Sequence, residues 1–131
     1  MVLADGHANF GVFPGGGSSV RLPRIMGPAR AKYLLFTGRT ASASEWRDLG
    51  VINDVVPAEQ LEAKTQALCD SLAKRSLQMQ SGVKQIINDS SNLPLDEALD
   101  RELDACRAHL RSTDAAEGLA AFAEGRRPTF A

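Results

Sequence analysis

The fold of this chain is decided by residues 11–24, which read GVFPGGGSSVRLPR. The consecutive glycines 15–17 have no Cβ, so the backbone there can adopt positive φ and lie close to a neighbouring backbone or a ligand. The residues that follow are apolar with helical spacing. The stretch therefore predicts a glycine-rich turn before a helix N-terminus, where unpaired N–H groups can bind an anion, a water or a carbonyl oxygen.

Two familiar phosphate-binding motifs do not match this turn. A P-loop requires Gly-Lys-Ser/Thr at a fixed spacing, and a dinucleotide fingerprint requires Gly-x-Gly-x-x-Gly with an acidic residue downstream. Neither pattern is found here, and Ser18 has no histidine and aspartate at a recognisable nucleophile spacing. Two interpretations of the turn remain, a binding site for a small polar group and a tight turn that lets the helix pack closely.

The composition is that of a globular protein with one domain. Of 131 residues, 44% are hydrophobic and 24% charged, and 15 basic against 16 acidic side chains give a formal net charge of −1. This balance favours neither nucleic acid nor an anionic membrane as a partner. No apolar run is long enough to span a bilayer, and the residues MVLAD at positions 1–5 lack the pattern of a secretion signal. We expect a cytoplasmic protein.

Helical periodicity dominates the sequence. The apolar spacing predicts helices at about 18–25, 28–37, 43–49, 58–75, 77–90 and 95–111, and a last helix from Asp114 to Gly125. Gly38 is placed as a left-handed cap, and Ser42 with Glu45 has the spacing of a capping box. The β-branched run 51–56 is the one strand candidate. The predicted fold class is mainly α with one short β-strand.

Blocks of sequence in a fixed order resemble the enoyl-CoA hydratase/isomerase (crotonase) family. They are residues 13–24 (FPGGGSSVRLPR), 27–39 (GPARAKYLLFTGR), 43–57 (ASEWRDLGVINDVVP) and 117–130 (EGLAAFAEGRRPTF). Their order and spacing are family-like over nearly the whole chain. The chain resembles the C-terminal half of such an enzyme.

This resemblance implies a division of the chain and a set of partners. Residues 1–56 would be the C-terminal end of the crotonase core, and residues 57–131 would be a helical region that forms trimer contacts. The implied substrate is an acyl-CoA thioester, without a metal or a cofactor. The expected partners are further copies of the chain, as a trimer or dimer of trimers, or the missing N-terminal half.

The resemblance also assigns two catalytic positions. In the family, two backbone N–H groups form an oxyanion hole for the thioester oxygen, and carboxylates move the proton or position water. His7 aligns with the second of these glutamates, and Gly15 aligns with a position whose backbone N–H holds the reacting water. A neutral imidazole can accept a proton or order a water, but it has no fixed negative charge. The alternatives are a solvent-exposed loop histidine and a plain turn glycine.

Three residues near the C-terminus align with substrate-binding positions. Phe122 matches a position near the acyl pocket, although an aromatic side chain at helical spacing also suits a packed core. Arg126 and Arg127 match basic residues near the CoA phosphates of a neighbouring subunit, and paired guanidinium groups suit phosphates. A basic pair that caps a helix is the alternative.

Two functional hypotheses follow. The first is part of an enzyme that hydrates or isomerises 2-enoyl-CoA through an oxyanion-stabilised enolate. The resemblance assigns the oxyanion hole and the first catalytic carboxylate to segments upstream of these residues, so activity of the chain alone is not expected. The alternative is a non-catalytic helical module for oligomerisation or acyl-CoA binding.

Overall fold

The computed structural model describes residues 1–130. The chain divides into two compact units, residues 1–60 and the residues from 61 onward. The first unit contains, in order, β1 (Val2–Leu3), α1 (Ser18–Met26), α2 (Pro28–Thr37), β2 (Ala41–Ser42) and α3 (Ala43–Asp48). The second unit contains α4 (Leu61–Ala73), α5 (Leu77–Ser90), α6 (Leu95–His109) and α7 (Thr113–Glu124). The mainly α fold class is confirmed.

The core of the first unit forms around Trp46. This side chain is 7% exposed and packs in one cluster with Met26, Ala31, Leu34 and Ala41. The strands β1 and β2 pair antiparallel, with Val2 opposite Ser42 and Leu3 opposite Ala41, and the Trp46 indole N–H donates to the Leu3 carbonyl over 3.4 Å. The start of the chain is thereby attached to this core.

Both local caps predicted from the sequence are confirmed. Gly38 ends α2 with φ 56°, in the left-handed region. The Ser42 hydroxyl accepts from the Glu45 N–H at 3.2 Å, and the Glu45 carboxylate accepts from the Ser42 N–H at 2.8 Å. This reciprocal pair is the capping box, which satisfies two N–H groups at the start of α3.

The predicted strand at residues 51–56 is wrong. Gly50 has φ 77° and turns the chain directly after α3, and the Val51 N–H donates to the Trp46 carbonyl at 3.0 Å, which closes the helix end. Val51 and Ile52 then pack against the core cluster. Their apolar side chains pack against the cluster that contains Trp46. Their backbone forms no strand pairing among the described residues.

The helices of the second unit occupy the predicted segments, with differences at two ends. The first helix begins at Leu61, after a short 3-10 turn at Ala58–Gln60. The last is capped by Ser112, whose hydroxyl accepts from the Ala115 N–H at 3.1 Å, and Asp114 lies in its first turn. Among the described residues, no helix has the length and apolar character needed to cross a membrane.

The hydroxyl of Ser76 connects two helices of the second unit. This residue is 4% exposed, and its oxygen accepts from the Met79 N–H at 2.9 Å as the N-cap of α5. It donates at the same time to Asp114 Oδ2 at 2.5 Å. The carboxylate at position 114 therefore fixes the start of α7 to the start of α5.

We predict that Ser76→Ala destabilises the second unit by about 2 kcal/mol, because it removes an N-cap and a charge-assisted hydrogen bond. Ser91→Ala is the matched control, since the Ser91 hydroxyl donates only to the Asn88 carbonyl on an exposed surface. Urea unfolding of both variants gives the comparison. Equal free energies of unfolding for the two variants would contradict the proposed link.

Gly38 provides a second stability prediction. A Cβ at this position would lie 2.5 Å from Asn9 Oδ1, and the Asn9 side-chain amide donates to the Gly38 carbonyl at 3.0 Å. Gly38→Ala combines left-handed strain with loss of this hydrogen bond, at a total cost of about 2–3 kcal/mol. Gly50→Ala has the same strain but no atom within 4 Å of the new Cβ. It should cost about 1 kcal/mol less in denaturant unfolding.

Candidate active site

The carboxylate of Asp5 joins the predicted catalytic histidine to the first helix. Asp5 Oδ1 lies 2.6 Å from His7 Nδ1 and also accepts from the His7 backbone N–H at 3.3 Å. Asp5 Oδ2 accepts a short hydrogen bond from the hydroxyl of Ser18, the first residue of α1. The imidazole and the carboxylate of the loop before the glycine-rich turn are therefore connected to the hydroxyl at the start of α1.

The environment of this group keeps Asp5 ionised. The hydrogen bond from Ser18 lowers the pKa of Asp5, partial burial opposes that shift, and hydrogen bonds from His7 lower the pKa further, so that the net pKa is below its ordinary value. An ionised carboxylate only accepts hydrogen bonds. The hydrogen between the two side chains therefore belongs to His7 Nδ1, and in the neutral ring Nε2 is the atom with a free lone pair.

The backbone that presents His7 is fixed by local and distant contacts. Residues His7–Phe10 form a 3-10 turn, which ends at Gly11 with φ 63°. The Val12 N–H donates to the His7 carbonyl at 3.1 Å. The Asn9–Gly38 hydrogen bond ties this turn to the end of α2. The imidazole extends from an anchored turn with 43% of its surface exposed, while the Asp5 side chain is 13% exposed.

The glycine-rich turn ends at the N-terminus of α1, as predicted. Gly17 is the N-cap with φ 97°, and its carbonyl accepts from the Val20 and Arg21 N–H groups. A Cβ added at Gly15 or Gly16 would meet no described atom within 4 Å, so the space beside both is open. The assignment of the Gly15 N–H as a water-holding group stays a prediction.

The sequence predicts no nucleophile arrangement for Ser18, and the structure adds a carboxylate partner, Asp5, that no sequence pattern indicated. Asp5 lies 13 positions earlier, in the loop that follows β1. No local spacing marks such a contact. An acidic residue in a loop that leads into a helix start was the one available signal, because a carboxylate is favoured near a helix N-terminus.

The second unit contains the three predicted substrate-binding residues. Phe122 lies in α7 and is 87% exposed, so it is not a core aromatic of the described chain. Arg126 binds both oxygens of Glu117, at 2.6 and 3.0 Å, and its Nε donates to Glu124 at 2.5 Å. Arg127 is exposed beside it. Their role in binding CoA stays a prediction.

The contacts of Arg126 have an electrostatic consequence. Its bidentate hydrogen bonds, together with the Thr129 N–H at 2.8 Å, lower the pKa of Glu117 to about 2. The two carboxylates raise the pKa of Arg126. Glu117 thereby folds the segment after α7 back along the helix. A phosphate at Arg126 would compete with these carboxylates, whereas Arg127 has its charge exposed.

A wide apolar groove lies between α5 and α6, with a cavity volume of about 810 Å³. Its walls include Met79, Val83, Ile86, Leu99 and Leu103. No cluster of three or more His, Cys, Asp or Glu residues that could hold a metal ion exists in the described part of the chain.

Comparison with known proteins shows the family of this chain. Residues 3–131 match the family model described as enoyl-CoA hydratase/isomerase. The chain is 36% identical over 120 residues to the probable enoyl-CoA hydratase echA8 of Mycobacterium bovis, covering 92% of the chain and 47% of that protein. It is 34% identical over 124 residues to the enoyl-CoA isomerase/hydratase fer4 of Mycosarcoma maydis, covering 95% and 45%.

Solved structures give the same result. An enoyl-CoA hydratase subunit from Geobacillus kaustophilus superposes with a TM-score of 0.94 at 35% identity, covering 99% of this chain and 51% of that one. This chain belongs to the enoyl-CoA hydratase/isomerase family, which defines its class. It spans about half the length of these relatives.

The Glu117–Arg126 pair gives a prediction on pH dependence. The pKa of Glu117 is lowered from 4.5 to about 2, so its contribution to stability is complete above pH 4.5 and is lost as the pH falls toward 2. In Glu117→Gln we expect a smaller loss of stability between pH 5 and pH 2, and faster hydrogen exchange at the Thr129 amide. Denaturant unfolding and amide exchange measure the two effects.

Glu124→Gln is the control for that experiment. It removes one contact of Arg126 and leaves the two oxygens of Glu117 in place. The Thr129 amide should exchange at the wild-type rate in this variant. Fast exchange in Glu124→Gln, or slow exchange in Glu117→Gln, would contradict the assignment of the tail contact to Glu117.

Proposed function

We propose that this chain is part of an enzyme that hydrates or isomerises 2-enoyl-CoA thioesters through an enolate whose oxygen is bound in an oxyanion hole. Family membership supports the substrate class and the reaction type. The single observation that favours a catalytic chain is the contact of 2.6 Å between Asp5 and His7. It orients an exposed imidazole next to the glycine-rich turn, where the resemblance puts the catalytic position.

In this proposal His7 moves the proton. For hydration, Nε2 accepts a proton from the attacking water and later returns it to the enolate carbon. For isomerisation, Nε2 removes a proton from one carbon of the acyl chain and returns it to another. The Gly15 N–H would hold the water at the open space in front of the turn. Each role needs the Nε2 lone pair, which the Asp5 contact leaves free.

The oxyanion hole would come from the half of the enzyme that this chain does not span. Loss of one such donor costs about 3 kcal/mol of transition-state stabilisation. The 131-residue chain by itself should therefore bind substrate weakly and show no turnover. This expectation rests on the resemblance, which assigns both oxyanion N–H groups and the first carboxylate to upstream segments.

For substrate binding we propose Phe122 beside the acyl chain and Arg126 with Arg127 near the CoA phosphates. The exposure of Phe122 supports an unfilled contact surface. Arg127 is the better phosphate ligand of the two, because Arg126 already binds two carboxylates. We also propose an oligomer, such as a trimer or dimer of trimers. The leucines of α6 are exposed, as Phe122 is, and a further copy of the chain could cover them. A cytoplasmic location stays a prediction of the sequence.

The experiment is steady-state hydration of crotonyl-CoA, after circular dichroism has established that the sample is folded. We expect no turnover from the chain alone. Turnover should appear when the chain is co-expressed with the half of the Mycobacterium relative that it does not span. In that complex His7→Ala should lower kcat by about 10²–10⁴-fold, the usual contribution of a general base.

His109→Ala is the control, since His109 lies on α6 and contacts Ser112 rather than any predicted catalytic residue. It should retain wild-type turnover. Turnover that His7→Ala leaves unchanged would overturn the role of His7. A folded complex that binds crotonyl-CoA without turning it over would favour the non-catalytic module instead.

A further inference from the structure

The charge at the predicted catalytic position presents a chemical problem. The resemblance puts a glutamate where this chain has His7, and a neutral imidazole lacks the negative charge of a carboxylate. The structure supplies that charge from Asp5, two residues earlier, at 2.6 Å from His7 Nδ1. When the imidazole ring is neutral, the ionised aspartate and the histidine together have a charge of −1, the same as one glutamate.

We propose that Asp5 is a positioning residue that holds His7 in the Nδ1–H tautomer, so that Nε2 is the proton-accepting atom and the Asp5–His7 pair replaces a single catalytic carboxylate. The tautomer follows from the contacts of the described chain alone. Its use in catalysis rests on the function proposed above. The two parts are separated by the experiments that follow.

The carboxylate of Asp5 is held at both oxygens. Oδ1 accepts from the ring and the backbone of His7, and Oδ2 accepts from Ser18. Rotation of the carboxylate would break all of these hydrogen bonds. Because Ser18 is the first residue of α1, the direction of the Asp5 side chain is fixed relative to a nine-residue helix. The imidazole is therefore oriented by the helix through the carboxylate.

The proton balance of the pair matches that of a glutamate. In hydration, the water oxygen bonds to the β-carbon of the thioester as one of its O–H bonds breaks, and that proton goes to Nε2. The Nδ1–H stays on the ring, and Asp5 keeps its charge. The pair changes from −1 to 0, and it returns to −1 when Nε2 gives its proton to the α-carbon of the enolate.

The same contacts argue against Ser18 as a nucleophile. In a nucleophilic triad the serine hydroxyl donates to the imidazole, and the carboxylate lies on the far side of the ring. Here the hydroxyl donates to the carboxylate itself, so the carboxylate lies between the serine and the histidine. Ser18 orients Asp5 and transfers no proton to His7.

The first test measures the tautomer of His7 in the 131-residue chain. Chemical shifts of the ring nitrogens are recorded with 15N-labelled histidine. The pH is raised until the ring resonances no longer change, and the tautomer is determined there. His7→Gln assigns the signals, because only His7 and His109 are present. We expect His7 as the Nδ1–H tautomer. A predominant Nε2–H tautomer, or the mixture of a free imidazole, would overturn the proposal.

The second test changes the carboxylate. Asp5→Ala removes the acceptor of the Nδ1–H, so we expect His7 to change to the tautomer mixture of a free imidazole, whereas in Asp5→Asn the carboxamide oxygen can still accept from the ring and the backbone of His7. Ser19→Ala is the matched control, since Ser19 neighbours Ser18 but makes no hydrogen bond with Asp5 in the described part of the chain, and it should keep the wild-type tautomer. An unchanged tautomer in Asp5→Ala would overturn the role of Asp5.

The third test measures whether the Asp5 contact that sets the tautomer of His7 also affects turnover in the co-expressed complex. Asp5→Ala should lower kcat for crotonyl-CoA on the order of tenfold or more with KM nearly unchanged, because substrate binding does not involve Asp5. Wild-type kcat in a variant whose tautomer has changed would overturn the catalytic part of the proposal. A confirmed tautomer in a complex without turnover would instead overturn the proposed function and leave the positioning by Asp5 supported.

Discussion

The hydrogen bonds of the Asp5 carboxylate fix the loop that contains the candidate catalytic histidine. Two features of the first unit bring that carboxylate into place. Before it, the pairing of β1 with β2 and the Trp46 indole attach Leu3 to the core. After it, the Asn9 amide ties the next turn to the end of α2. The loop is anchored on either side of Asp5, so the entropy cost of ordering His7 is largely met by folding of the unit itself.

The helical elements were predictable because their signals are local. The capping box of Ser42 and Glu45 depends on two residues three positions apart, and it forms as the sequence predicts. The strand prediction at 51–56 failed because β-branched residues favour any half-buried surface, and only tertiary context decides which surface is available. In this chain the available surface is the cluster around Trp46, so Val51 and Ile52 pack there without a ladder.

The candidate site was predictable only in part. The resemblance singled out His7, because alignment of residues 11–15 with the family pattern puts the second glutamate of the family at that position. It could not identify Asp5 or Ser18, since their contact joins residues 13 positions apart and depends on the path of the loop. The partner of Arg126 could not be predicted either. Glu117 lies nine positions earlier, and the chain must reverse direction after α7 before the two side chains can form a hydrogen bond. Sequence patterns report such groups as separate charges.

The exposed helix faces follow from the same reasoning. The leucine stripe of α6 has the period of an amphipathic helix, and α6 forms, yet Leu95, Leu99 and Leu103 remain exposed in the described chain. Burial of apolar surface stabilises by about 25 cal/mol per Å², so a stripe in water makes only a fraction of its possible contribution. The chain spans about half the length of its relatives. The Asp5–His7–Ser18 group differs from these faces, since its hydrogen bonds are complete within residues 5–18. Orientation of the imidazole is thus a property of the first unit, whereas the leucines of α6 would contribute fully to stability only if their exposed surface were buried.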